Sequence, residues 1–139
     1  MVQEFSLERI KKYFEQRDDI IAVYLFGSTV KNKEGKASDL DLAVLFKEGM
    51  DQFFRFQEKM QIANELETQL KQKIDVVDLR SADYFFIHQV MKNKKLLVDR
   101  DTGRRVFFEV DYRKKFFDYK PLYDLYHRQS LKRLKEREC

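Results

Sequence analysis

No apolar run among the 139 residues approaches the roughly 18 that a membrane-spanning helix requires, and the opening MVQEFSLERIKK lacks the basic-then-apolar order of a secretory signal. The expectation is a soluble, cytoplasmic protein without membrane contact. Cysteine occurs once, as Cys139, which rules out an intrachain disulfide and suits a reducing compartment. Histidine occurs twice, and His88 and His127 stand too far apart for metal-ligand spacing, so each reads as a packing or surface side chain. Proline occurs once, and internal repeats, low-complexity segments and linkers are missing. One folded unit is expected, long enough to bury roughly 68–70% of the surface its unfolded chain exposes.

What is present is a globular composition, 43% hydrophobic and 37% charged, which argues against disorder. The net charge of +4 is unevenly spread. From Tyr112 onward there are nine Lys or Arg against four Asp or Glu, a balance of +5, which leaves 19 against 20 in the first 111 residues. A basic tail suits nucleic acid or an acidic protein face alike. With no recognised nucleic-acid fold, Tyr119, Tyr123 and Tyr126 read as contacts for a partner helix, and direct nucleic-acid binding is not expected.

Hydrophobic periodicity divides the chain into alternating elements. Ser6 as N-cap and Leu7, Ile10 and Phe14 at helical spacing predict an amphipathic helix over 6–17. IIAVYLF at 20–26 and DLDLAVLF at 39–46 are buried strands. Phe53, Phe56, Met60, Ala63, Leu66 and Leu70 mark the apolar stripe of a long helix over 51–73, and KIDVVDL forms a third strand. Phe53, Phe54 and Phe56 read as core or interface. A helix after Ser81, a short apolar run at 96–98, and helical patterns from about Gly103 and from Pro121 complete the chain. The fold class is α+β, a small mixed sheet covered mainly on one face by helices, with a helical C-terminal extension.

Two stretches carry chemistry. Asp39 and Asp41 open a strand, share one of its faces and stand roughly 6.5–7 Å apart at the backbone, within reach of one hard cation. Asp75, near the start of the next strand, joins them if the strands are neighbours. Left alone, three such carboxylates repel one another; a divalent metal removes that conflict. Gly27 after a buried strand lets backbone approach a ligand, and Ser28 opens a short helix whose N-terminal N–H groups and hydroxyl suit phosphate. Neither a Walker A loop nor an EF-hand fits: Ala37 follows Gly35-Lys36 where Ser or Thr is needed, and Leu42 and Ala43 follow Asp41 where oxygen ligands are needed.

Gly27-Ser28, ten residues, Asp39-x-Asp41 and an Asp-bearing strand one long helix later resemble the signature of the polymerase-β nucleotidyltransferase superfamily, in its minimal (MNT) branch. The region from Asp99, with Phe117-Asp118-Tyr119-Lys120-Pro121, resembles the MntA-type antitoxins of HEPN/MNT (type VII) toxin–antitoxin systems. The resemblance implies a polymerase-β-like fold with a core over 1–99 and a basic, aromatic, partner-docking extension over 100–139 packed on the same domain. It also implies that Asp39 and Asp41 hold two Mg2+ ions, that Asp75 completes the metal site and accepts the proton of the attacking hydroxyl, and that Gly27 and Ser28 grip the phosphates of ATP. Lys31 and Lys36 are candidate triphosphate contacts, the other reading being solvated loop lysines. The chain carries Val30-Lys31-Asn32 where the family often has Ala-Arg-Gly, and Asn tolerates the left-handed turn a Gly supplies. The implied activity is AMP transfer to a tyrosine of a cognate HEPN-domain RNase toxin, a docked macromolecule because the chain has no room for a second substrate-binding domain. A non-catalytic scaffold antitoxin and a stand-alone small-molecule or RNA nucleotidyltransferase are the alternatives.

Overall fold

The two longest β-branched runs are apolar on both faces, so they need cover above and below, and this requirement shapes the molecule. A computed structural model describes residues 4–27 and 40–138. In chain order these form helix α1 (Glu4–Glu15), strands β1 (Ile20–Phe26) and β2 (Leu40–Phe46), and helix α2 (Gln52–Leu70). Strand β3 (Ile74–Asp78), helix α3 (Tyr84–Lys92), strand β4 (Lys95–Asp99) and helix α4 (Thr102–Glu138) follow. The sheet order is β3-β2-β1-β4; β2 and β3 run parallel, and β1 is antiparallel to β2 and to β4. A parallel pair needs a crossover between its strands, and α2 supplies it.

Alternation along the strands sorts the side chains into two cores. Val23, Leu25, Leu40, Leu42, Val44, Phe46 and Ile74 face one side and pack with Leu7, Ile10 and Phe14 of α1 and Ile62 and Leu66 of α2. Ala22, Tyr24, Ala43 and Leu45 face the other and pack with Ile87 and Val90 of α3 and Tyr112 and Phe116 of α4. Helical cover mainly over one face was the expectation; α3 and the first half of α4 also cover the second, because Tyr24, Ala43 and Leu45 are as apolar as the residues behind them.

Three local expectations are corrected. Helix α1 begins at Glu4, which puts Ser6 inside it and not at its cap. The stripe on α2 is rotated: Leu66 is buried as expected and Ile62, outside the expected stripe, is buried with it, but Phe53, Phe56 and Met60 are exposed. The inward positions of its first half belong to Arg55, whose Nε donates to Asp78 Oδ2 at 2.7 Å, and to Glu58, which pairs with Arg17. These ion pairs fix the roll of the helix, with Asp51 capping its start through bonds from the Phe53 and Phe54 N–H groups and Lys71 ending it in the left-handed conformation. The two helical patterns at the C-terminus are one helix, α4, running through Pro121 at an exposed position, where the backbone acceptor that proline leaves unpaired is open to water.

Helix α4 is tied to the sheet by a buried polar cluster. The Tyr24 hydroxyl donates to Glu109 Oε2 at 2.6 Å, and Arg105 and Lys94 pair with the same carboxylate at 3.0 and 3.3 Å. Burial pushes the Glu109 carboxyl up, but the bonds from Tyr24, Arg105 and Lys94 outweigh it and hold it below the usual range. Burial and the same carboxylate push the Tyr24 phenol up. Buried polar groups paired in this way fix one seating of the helix, since each would be costly if left unsatisfied.

Candidate active site

The geometry of the site follows from strand register. Leu40, Leu42, Ile74 and Val76 are claimed by the core beneath α1 and α2, so Asp41 and Asp75, between them in sequence, face the opposite side. Parallel pairing sets Asp41 directly beside Asp75, and antiparallel pairing sets Phe26 on the other side of Asp41. The row Asp75–Asp41–Phe26 thus crosses three neighbouring strands at a spacing of about 4.8 Å each. The Leu40 N–H donates to the Lys73 carbonyl at 3.1 Å, which extends the β2–β3 pairing past the carboxylates and holds their register.

Gly27 completes the cluster. Its φ is +85°, and a Cβ there would collide with Asp41 Oδ2 and stand 3.2 Å from Cγ. Glycine is required twice over at this position, by conformation and by the carboxylate packed against its backbone. Asp41 is half-buried and Asp75 is exposed at the edge strand. Asp78, the other acid of β3, has a different role: it is buried and accepts from Arg55 Nε, from the Ser81 hydroxyl at 2.8 Å and from the Arg80 N–H at 3.0 Å. Of the residues singled out from the sequence, Gly27, Asp41 and Asp75 come together, while Ser28, Lys31, Lys36 and Asp39 lie outside the described residues. His88 packs on Phe116 with ring centroids 3.9 Å apart, and His127 lies over Tyr123, so both contact aromatic rings of α4.

One neighbour was not foreseen. Phe86 of α3 meets Phe26 edge to face at 6.0 Å, which puts a half-exposed aromatic wall at the end of the carboxylate row. Phe26 was legible as the residue before Gly27, whereas Phe86 carries no local signal and arrives through the packing of α3.

The family described as polymerase beta, nucleotidyltransferase matches residues 8–103. The chain belongs to the polymerase β nucleotidyltransferase family. Membership implies a nucleotide substrate and a divalent metal. This family member is similar to the protein adenylyltransferase MntA of Shewanella oneidensis, 36% identical over 75 residues, which is 54% of this chain and 51% of that protein. The match therefore spans about half the length of the curated relative. It is also similar in structure to a chain of the toxin–antitoxin complex MntA–HepT, with a TM-score of 0.63 and 25% identity over 88% of this chain and 97% of the other. A complex of tri-AMPylated Shewanella oneidensis HEPN toxin with MNT antitoxin matches with the same figures. Among the described residues of this family member, no helix is long and apolar enough to cross a membrane.

Proposed function

We propose that the chain is a cytoplasmic antitoxin that transfers AMP from ATP to a tyrosine of a cognate HEPN-domain RNase toxin and releases pyrophosphate. The observation that carries this reading is the Asp41–Asp75 pair on adjacent parallel strands, with glycine backbone against one of its members. The pair fits a hard divalent cation: both groups are carboxylates, they share a face, and that face is open at Asp75. Asp39, Asp41 and Asp75 would hold two Mg2+ ions. Bound there, the metal supplies charge stabilisation to the entering and leaving oxygens of an in-line displacement.

The remaining work falls to the chain's own groups. A carboxylate oxygen of Asp75 takes the phenol proton of the acceptor, which lies on its side of the row. Gly27 and Ser28 present backbone N–H groups and a hydroxyl to the β- and γ-phosphates, and Lys31 and Lys36 balance their charge. Such alignment and electrostatics suffice for phosphoryl chemistry, so no cysteine or histidine nucleophile is needed. The core over 1–99 carries the reaction and 100–139 docks the partner, a division supported by exposed Leu122, Leu125, Tyr126, Leu131 and Leu134 along the second half of α4.

The test is to mix the protein with Mg2+, ATP and the HEPN-domain product of the adjacent gene and to weigh that product intact. Additions in steps of one AMP are expected, and Asp39→Asn with Asp41→Asn should abolish them. Toxin neutralisation by the double variant, with no mass change even with the wild-type protein, would overturn the enzyme reading in favour of a scaffold.

A further inference from the structure

The roll of α2 leaves an arrangement that stability does not explain. In its first two turns the positions facing the sheet hold charged Arg55 and Glu58, while Phe53, Phe54, Phe56 and Met60 are turned out, 67, 48, 52 and 47% exposed. An apolar group of this size on a free surface marks a place where another molecule sits. The group is continuous with a cavity of about 260 Å³ bounded by Gln52, Phe56 and Lys59 of α2, Val76 and Val77 of β3, and Ala82.

This cavity borders the reaction side of the sheet. Strand β3 is an edge of the four-stranded sheet. Val77 lies two residues beyond Asp75 on the same strand face, so the cavity begins roughly 7 Å along the strand from the carboxylate that ends the row. Phe26 and Gly27 close the opposite end of that row. A large acceptor can reach Asp75 over the β3 edge, past the aromatic face of α2.

Charge narrows the occupant. The Lys59 ammonium lies 5.1 Å from the Phe56 ring centroid, and no ion pair involves it among the described residues. The neighbouring cation, Arg55, is already committed to Asp78. An acidic group flanked by apolar side chains would complete both features at once.

We propose that the Phe53–Phe54–Phe56–Met60 face and the adjoining cavity dock the acceptor protein itself, through a segment that seats an apolar side chain beside Val77 and an acidic one on Lys59. This deepens the reading above and rests on it: the docked segment delivers the acceptor hydroxyl to Asp75. The patch then sets which protein is modified, separately from the carboxylates that support the chemistry.

The experiment compares the full-length wild type with Phe53→Ser/Phe56→Ser/Met60→Ser and with Lys59→Glu, all at exposed or half-exposed positions. Binding to the HEPN-domain product is measured by calorimetry, and AMP transfer by intact mass across acceptor concentrations. The triple variant should weaken binding at least tenfold and raise the acceptor KM by a similar factor, with kcat and the KM for ATP unchanged. Lys59→Glu should weaken binding several-fold and reduce its sensitivity to salt. Kd and acceptor KM within twofold of wild type for both variants would overturn the proposal. So would a triple variant that changes only the protein's self-association in light scattering, since the patch then joins copies of this chain. Should the wild type transfer no AMP, the enzymatic reading fails by itself, and the Kd values still decide whether the patch docks this partner.

Discussion

Gly27 and Asp41 show how one side chain is positioned by the absence of another. The carboxylate occupies space that any Cβ at position 27 would take, at a backbone conformation L-residues rarely adopt. Gly49 has the same φ of +85° with nothing within 4 Å of a built Cβ, so the two glycines separate conformational strain from crowding. Gly49→Ala should cost roughly 1–3 kcal/mol of stability through backbone strain alone and leave AMP transfer intact. Gly27→Ala should cost at least as much and also displace the Asp41 carboxylate, lowering kcat by about 100-fold or more, since small misplacements of reacting groups are that costly. Urea unfolding and transfer rates measured on both variants check this. Equal activity in the two would mean that the contact with Asp41 does not position it.

Between elements, the seam of α3 and α4 is aromatic and contains one histidine. The His88 ring stacks on Phe116 at 3.9 Å, with Tyr112 and Phe117 around it. Burial, then the charges of Lys92 on α3 and Arg113 and Lys120 on α4, hold its pKa below the usual histidine value. The unfolded chain therefore binds a proton more readily than the folded one. Stability contributed by the neutral ring is fully present above about pH 6.5 and is lost as pH falls from there through the lowered folded value. Urea midpoints between pH 7.5 and 5 should fall more steeply for the wild type than for His88→Phe, and parallel slopes would remove His88 as the cause. At this scale, apolar runs such as IIAVYLF announced their strands, and Asp41 with Asp75 announced a shared face. The α2 stripe misled because Leu66 fits two helical rolls equally well, one with Phe53, Phe56 and Met60 and one with Ile62. Only partners distant in sequence, Asp78 for Arg55 and Arg17 for Glu58, choose between them. Pro121 misled because a helix interrupted at an exposed position need not end there.

Across the whole molecule, charge and packing divide at nearly the same place. The sheet and the first half of α4 share the buried Tyr112 and Phe116 and the Glu109 cluster, and among the described residues no side chain beyond Phe116 is buried. The last side chain of α4 stacked on the core is Tyr123, 4.0 Å from Phe85. The helix then continues to Glu138, about 55 Å from its start at 1.5 Å per residue. An isolated helical segment of this length in water is marginal, so apolar side chains from Leu125 to Leu134 call for a partner surface. Because the segment from Tyr112 carries +5 against −1 for the rest, that surface should be acidic, and its attraction should weaken as salt shortens the screening length to about 8 Å at 0.15 M. A chain ending at Tyr123 should unfold within a few degrees of the full-length protein, since none of the described side chains removed is buried. It should bind the HEPN-domain protein at least tenfold more weakly at low salt, and raising the ionic strength should change its affinity much less than that of the full chain. Calorimetry at two salt concentrations decides the matter: an unchanged affinity and salt slope in the shortened chain would assign docking wholly to α2 and the β3 edge.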